Sequence, residues 1–177
     1  ELINNDYVEQ DQSVDPKQQD LAKVYHFLDQ MKFAAALRQV HHHIEEYGIT
    51  FELAYLRYHL AKALNNNQLA PAFSALMSLR SYSKPELSKL AKAWRDNPTL
   101  QTQLSEKNAI KLALNFSTED YVSLAEAIFE RLYDPKQPSS STGILARKLS
   151  VIFTNTNKRD KQQRYNAIAD QFITGAL

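Results

Sequence analysis

The stretch Tyr121-Val122-Ser123-Leu124-Ala125-Glu126-Ala127-Ile128-Phe129-Glu130-Arg131-Leu132 decides the fold class. Its apolar residues Tyr121, Leu124, Ala125, Ile128, Phe129 and Leu132 recur at i, i+3, i+4, i+7, i+8 and i+11, which lines one face of an α-helix. The same period runs through the chain on both sides. Phe33, Leu37, Val40, Ile44 and Tyr47 form a stripe that ends at Gly48, a natural helix stop. Leu53, Leu56, Leu60 and Leu64 form another, with Thr50 ahead of it as a cap, and Asn65-Asn66-Asn67 breaks it. Asp15-Pro16 is a cap followed by proline at the first helical position. Ser83 and Glu86 have capping-box spacing ahead of Leu87, Leu90, Ala91 and Trp94. Further helices are expected at about 69–82, from Asn97-Pro98, at 106–115, at 144–153 (Leu145, Leu149, Ile152, Phe153) and at 158–173 (Tyr165, Ile168, Ala169, Phe172). No stretch alternates apolar and polar residues long enough to argue a strand, so the fold class is all-α: antiparallel helical hairpins stacked as a short superhelix or an irregular bundle.

Composition narrows the functions. The chain has 177 residues, 44% of them hydrophobic, which suffices for one sizeable core or two small ones. Cysteine is absent, which removes disulfides, thiolate nucleophiles, iron–sulfur clusters and sulfur-ligated zinc. Only Gly48, Gly143 and Gly175 are glycine, far apart, so no Gly-rich phosphate loop, dinucleotide fingerprint or nucleophile elbow exists. The longest apolar run, Phe33–Leu37, is far short of the roughly 18 residues a membrane-spanning helix needs. The chain begins at Glu1, and the expectation is an excised or processed piece of a larger, cytoplasmic protein. Residues 1–14 carry Glu1, Asp6, Glu9 and Asp11 with no basic residue, and are expected to be a flexible acidic tail. Residues 15–136 are expected to form a helical-repeat domain and 137–143, rich in serine, a loop; 144–177 is expected to be a C-terminal helical hairpin packed on the same domain.

Three helix pairs superpose in spacing. The first holds Val24, Leu28, Phe33, Ala36, Leu37 and Val40. The second holds Leu60, Leu64, Leu69, Ala72, Phe73 and Leu76. The third holds Leu112, Phe116, Tyr121, Leu124, Ala125 and Ile128. Over residues 16–136 this pattern resembles the tetratricopeptide repeat. Ala61, Ala113 and Ala72 sit near that family's small positions, and Pro85 and Pro135 near its closing proline. The first pair departs from it, with Tyr25 at the small position. The resemblance implies a non-enzymatic scaffold that binds another protein or peptide in a groove lined by the first helices, with Tyr25, Tyr55, Tyr58, His59, Lys62 and Lys111 as contact candidates.

The chemistry-bearing clusters are few. His41-His42-His43 with Glu45 and Glu46 places imidazoles and carboxylates one turn apart, yet offers only part of a metal shell; it is expected to be a solvated face, and no metal or other cofactor is expected. Glu126 and Glu130 share a helix face as ordinary charge patterning.

Charge gives an alternative. Between Arg57 and Arg95 lie seven basic residues and one acid, and between Ser139 and Arg164 six and one. Lys89, Lys92 and Arg95 form an exposed stripe. Lys158, Arg159 and Lys161 crowd the positive end of a helix dipole, where each is unfavourable by about 0.3–1 kcal/mol and an anion would relieve them. With Thr156, Asn157 and Arg164 these residues make up a candidate contact for nucleic-acid phosphates.

Overall fold

The computed structural model describes residues 15–65, 67–77, 79 and 81–175. The acidic segment 1–14 lies outside the described residues. Ten α-helices and no strand occur among the described residues: α1 Pro16–Asp29, α2 Phe33–Tyr47, α3 Phe51–Ala63, α4 Leu69–Leu76, α5 Lys84–Asp96, α6 Pro98–Gln103, α7 Glu106–Asn115, α8 Val122–Leu132, α9 Ser140–Asn155 and α10 Arg159–Gly175. The all-α expectation holds. Within each unit most neighbouring helices pack on one another, an arrangement compatible with a helical repeat. The chain divides into two compact units between residues 79 and 80, inside the stretch 15–136 expected to be one domain. The division falls in the connection that follows α4 and precedes α5.

In the first unit, local chemistry sets each boundary. The Asp15 carboxylate accepts the Lys17 backbone N–H at 3.1 Å, and Pro16 needs no partner there. Thr50 Oγ1 accepts the Leu53 N–H at 3.3 Å and starts α3. α1 and α2 turn about Met31, α3 and α4 about Asn65, and both turn residues have positive φ. The α1–α2 hairpin closes over Val24, Ala36, Leu37 and Val40, which cluster with Leu60 of α3. Phe27, Leu28, Phe33, Ile44 and Leu56 pack round this cluster. α3 packs on both α2 and α4.

In the second unit, α5 opens with the expected capping box: Ser83 Oγ accepts the Glu86 N–H at 3.3 Å, and Glu86 accepts the Ser83 N–H at 2.8 Å. α7 and α8 form a hairpin, α9 lies on both, and α9 and α10 make the most extensive helix pair among the described residues. Their shared core is Leu145, Leu149, Phe153, Tyr165, Ala169 and Phe172, all nearly inaccessible.

Part of the expected loop 137–143 is helix. α9 begins at Ser140, four residues before the expected start, because Ser139 Oγ accepts the Thr142 N–H at 3.2 Å. Gly143 is buried inside α9 against α10. A Cβ there would lie 2.9 Å from Ile173 Cγ1 and 3.1 Å from Phe172 Cβ. The glycine permits close helix approach and is not a linker residue.

Candidate functional site

The six partner-binding candidates fall into different settings. Tyr25 on α1 is 41% exposed, and its hydroxyl donates to Glu52 Oε1 at 3.1 Å, tying α1 to the first turn of α3. Partial burial and the Glu52 charge push its pKa above the ordinary value. Phe51 and Tyr55 stack along α3 with centroids 5.7 Å apart, and the His59 ring stands edge-on to Tyr55 at 4.4 Å. Tyr55 is half-buried; His59 and Lys62 are exposed. Tyr58 is a correction. It is 1% exposed and packs edge-on against Phe73 of α4 at 5.6 Å, so it is core and no partner reaches it. Lys111 belongs to the second unit and is exposed on α7.

Lys111 lies on the largest concavity described, a groove of about 710 Å³ lined by Ser105, Lys107, Ile110, Lys111, Leu114 and Ile144, among others. α7 supplies one wall and the start of α9 the other. Ile144 stands half out of the protein, at 50% exposure, while Ile110 beneath is buried. Lys107 and Lys111, four residues apart, share a face of α7. The only sequence signal here was Lys111. The exposure of Ile144 depends on how α9 is rotated about its axis, with Leu145 and Ala146 taken inward.

The basic candidates divide likewise. Lys89, Lys92 and Arg95 are exposed along α5. Thr156 donates its hydroxyl to the Ile152 carbonyl at 3.0 Å, Asn157 turns the chain at φ 60°, and Lys158 and Arg159 are exposed at the start of α10. Phe153, Thr154, Asn157, Arg159 and Gln162 line a 380 Å³ cleft at this turn.

Lys161 and Arg164 are exposed but ion-paired. Lys161 Nζ donates to Glu126 Oε1 at 3.0 Å and sits over the Phe153 ring. Arg164 binds Glu130, with one contact at 3.1 Å, and covers the Tyr133 and Tyr165 rings. The buried Tyr165 hydroxyl lies 2.8 Å from both Glu126 and Glu130. Burial first, then these two carboxylates, push the Tyr165 pKa well up. Against its own partial burial, the hydrogen bonds and charges of Arg164, Tyr165 and Lys161 hold the Glu130 carboxyl below the usual range. The basic segment is thus partly neutralised by α8, more than thirty residues earlier.

The histidine run also departs from the expected solvated face. His42 keeps to it, 3.2 Å from Glu46 one turn on. His43 is buried, and its Nδ1 lies 2.7 Å from Asp20 Oδ2, while Gln39 Nε2 donates to Asp20 Oδ1 at 2.7 Å. Position 43 continues the inward stripe Ala36, Val40, which is the signal that could have found it. Among the described residues no group of three or more His, Asp or Glu side chains is placed to hold a metal ion. Nor is any described helix long and apolar enough to cross a membrane.

Compared with models of protein families, with curated proteins and with solved structures, the chain matches none.

Proposed function

We propose that the chain is a non-enzymatic helical interaction domain of tetratricopeptide-like organisation, holding a segment of a partner protein in the groove between α7 and the start of α9. The observation that carries this reading is Ile144. A large apolar side chain 50% exposed inside a 710 Å³ concavity leaves apolar surface that a partner would cover. Two lysines, Lys107 and Lys111, against one acid, Glu106, leave the groove net basic and favour acidic residues flanking the partner's apolar anchors. The three hairpins of like spacing, each formed by packed neighbours, support the repeat organisation.

Selection of a random peptide library against the full chain tests this. Enriched peptides should carry one or two large apolar residues next to Asp or Glu. Ile144→Asp should weaken them at least tenfold, since burying an isoleucine is worth about 1.5–3 kcal/mol. Lys111→Glu should shift the preference away from acidic flanks. Peptides that bind Ile144→Asp as tightly as the parent chain sink the groove assignment.

A second reading, retention of nucleic acid by its phosphates, is favoured by the cleft at the α9–α10 turn, where Arg159 and Asn157 line the start of α10. It calls for binding at about 50 mM salt that weakens steeply as salt rises. Lys158→Glu with Arg159→Glu should abolish it. Absence of any retention at that salt removes this reading.

A further inference from the structure

Arg57 presents a different kind of site. It faces a pocket of about 330 Å³ within the first unit, whose walls include Leu37 and His41 of α2, Ala61 of α3, and Pro71 and Ala72 of α4. The Arg57 Nε is buried and has no hydrogen-bond partner. Among the described residues no carboxylate pairs with its guanidinium. A buried donor left unpaired is costly, and one belonging to an obligate cation more so. We propose that this pocket binds an aliphatic carboxylate, with the carboxylate on the Arg57 guanidinium and a short apolar tail against Leu37, Ala61, Pro71 and Ala72.

The chemistry is selective. A guanidinium edge offers two parallel N–H donors that match the two oxygens of a carboxylate. Apart from His41 and Gln68 the walls are leucine, alanine and proline, so a tail of a few carbons is accommodated and a multiply charged group is not. His41 is the other titratable group on the pocket. Burial, and next the Arg57 charge, lower its pKa, so the two side chains disfavour each other's charge. Burial likewise lowers the Arg57 pKa, and no neighbouring charge offsets it. Glu45 acts the other way on His41, and an anion on Arg57 would offset the charge that lowers the His41 pKa. Arg57 entered the sequence reading only as one count in a basic stretch.

The carboxylate has two possible sources, a free acid or the end of a peptide chain, and the probes separate them. Hexanoate stands for the first and N-acetyl-leucine for the second; hexanol and N-acetyl-leucinamide are their neutral counterparts. The readout is the side-chain Nε–H resonance of Arg57 in the full chain, followed by ¹⁵N NMR during titration. At least one acid should shift that resonance saturably, with an affinity on the order of millimolar for a ligand of about eight heavy atoms. The neutral compounds should leave it in place. The acid that binds more tightly identifies the source. Arg57→Gln, with unchanged circular dichroism, should weaken the backbone response to the acid at least tenfold. If that variant does not fold, the comparison of acid with neutral probe on the parent chain still decides. The proposal is overturned if neither acid binds, if the neutral probes bind as well as the acids, or if inorganic phosphate shifts Arg57 more strongly than either.

Discussion

The carboxylate of Asp20, on α1, lies 2.7 Å from Nδ1 of His43, on α2, and both residues are almost sealed from solvent. A carboxylate only accepts, so the shared hydrogen is the imidazole's. The other Asp20 oxygen accepts from Gln39. The hairpin is therefore closed by a polar clasp as well as by the apolar cluster around Val24 and Val40. Asp20→Ala strands a buried imidazole and a half-buried amide and should cost about 2–4 kcal/mol in urea unfolding. Asp20→Asn should cost clearly less, because His43 can change tautomer and accept from the new amide. Equal losses in the two variants would show that the clasp contributes packing and not hydrogen bonding.

Gly48 ends α2 at φ 96° and ψ 165°, a region open essentially to glycine alone. Nothing lies within 4 Å of where a Cβ would stand, so substitution there meets strain and no clash. Gly48→Ala should cost about 1–3 kcal/mol. Gly48→Asn should cost no less, since the side-chain amide gives asparagine its ease in the left-handed helical region but not in this one. A neutral Gly48→Ala in thermal unfolding would mean that the α2–α3 turn adopts another conformation.

Helix positions were legible because each rests on local chemistry: the 3.6-residue stripe, the Asp15-Pro16 start and the Ser83/Glu86 box act within one or two turns. What depends on remote partners was not. Tyr58 lies off the stripe Leu53, Leu56, Leu60, but α3 packs on two helices, and the wider buried face takes Tyr58 inward. Lys161 and Arg164 read as spare cations because Glu126 and Glu130 are distant in sequence. The serines before Gly143 have the composition of a loop, and only their cap at Ser139 and the approach of α10 make them helix. Lys111 was already a candidate in the sequence, whereas Arg57 and Ile144 acquire meaning only from the folded helices, which bury the Nε of the one and leave the side chain of the other exposed.

Gly143 fixes the closeness of α9 and α10. Alanine is intrinsically better than glycine in a helix by about 1 kcal/mol. Here its Cβ would meet Ile173 Cγ1 at 2.9 Å and the Ile173 backbone nitrogen at 3.3 Å, and a backbone atom cannot swing aside. The clash should outweigh the propensity gain, leaving Gly143→Ala destabilised by about 1–2 kcal/mol. Gly143→Val should be worse, because a branched side chain adds atoms at the same contact. A stabilised Gly143→Ala would show that α10 can shift outward at little cost.

Glu130 gives the second unit an acid-sensitive tie. Its carboxyl pKa is lowered from an ordinary 4.5 despite partial burial, because Arg164 and Tyr165 hydrogen-bond its ionised form and Arg164 and Lys161 attract it. Arg164 shows the reciprocal effect, its pKa raised chiefly by the Glu130 hydrogen bond. A carboxyl whose folded pKa lies below its unfolded one adds stability at pH above the unfolded value. That contribution is lost as pH falls through the folded value. The Tm difference between the parent chain and Glu130→Gln should therefore be constant from pH 7 down to about pH 5.5, and should shrink below about pH 4.5. It should be small throughout, because the Glu130 and Arg164 side chains are 42% and 44% exposed and solvent screens such pairs to about 0–1 kcal/mol. High salt at neutral pH should shrink it too. A difference that stays constant to pH 3, or widens in acid, would assign the effect of Glu130→Gln to lost packing rather than to its charge.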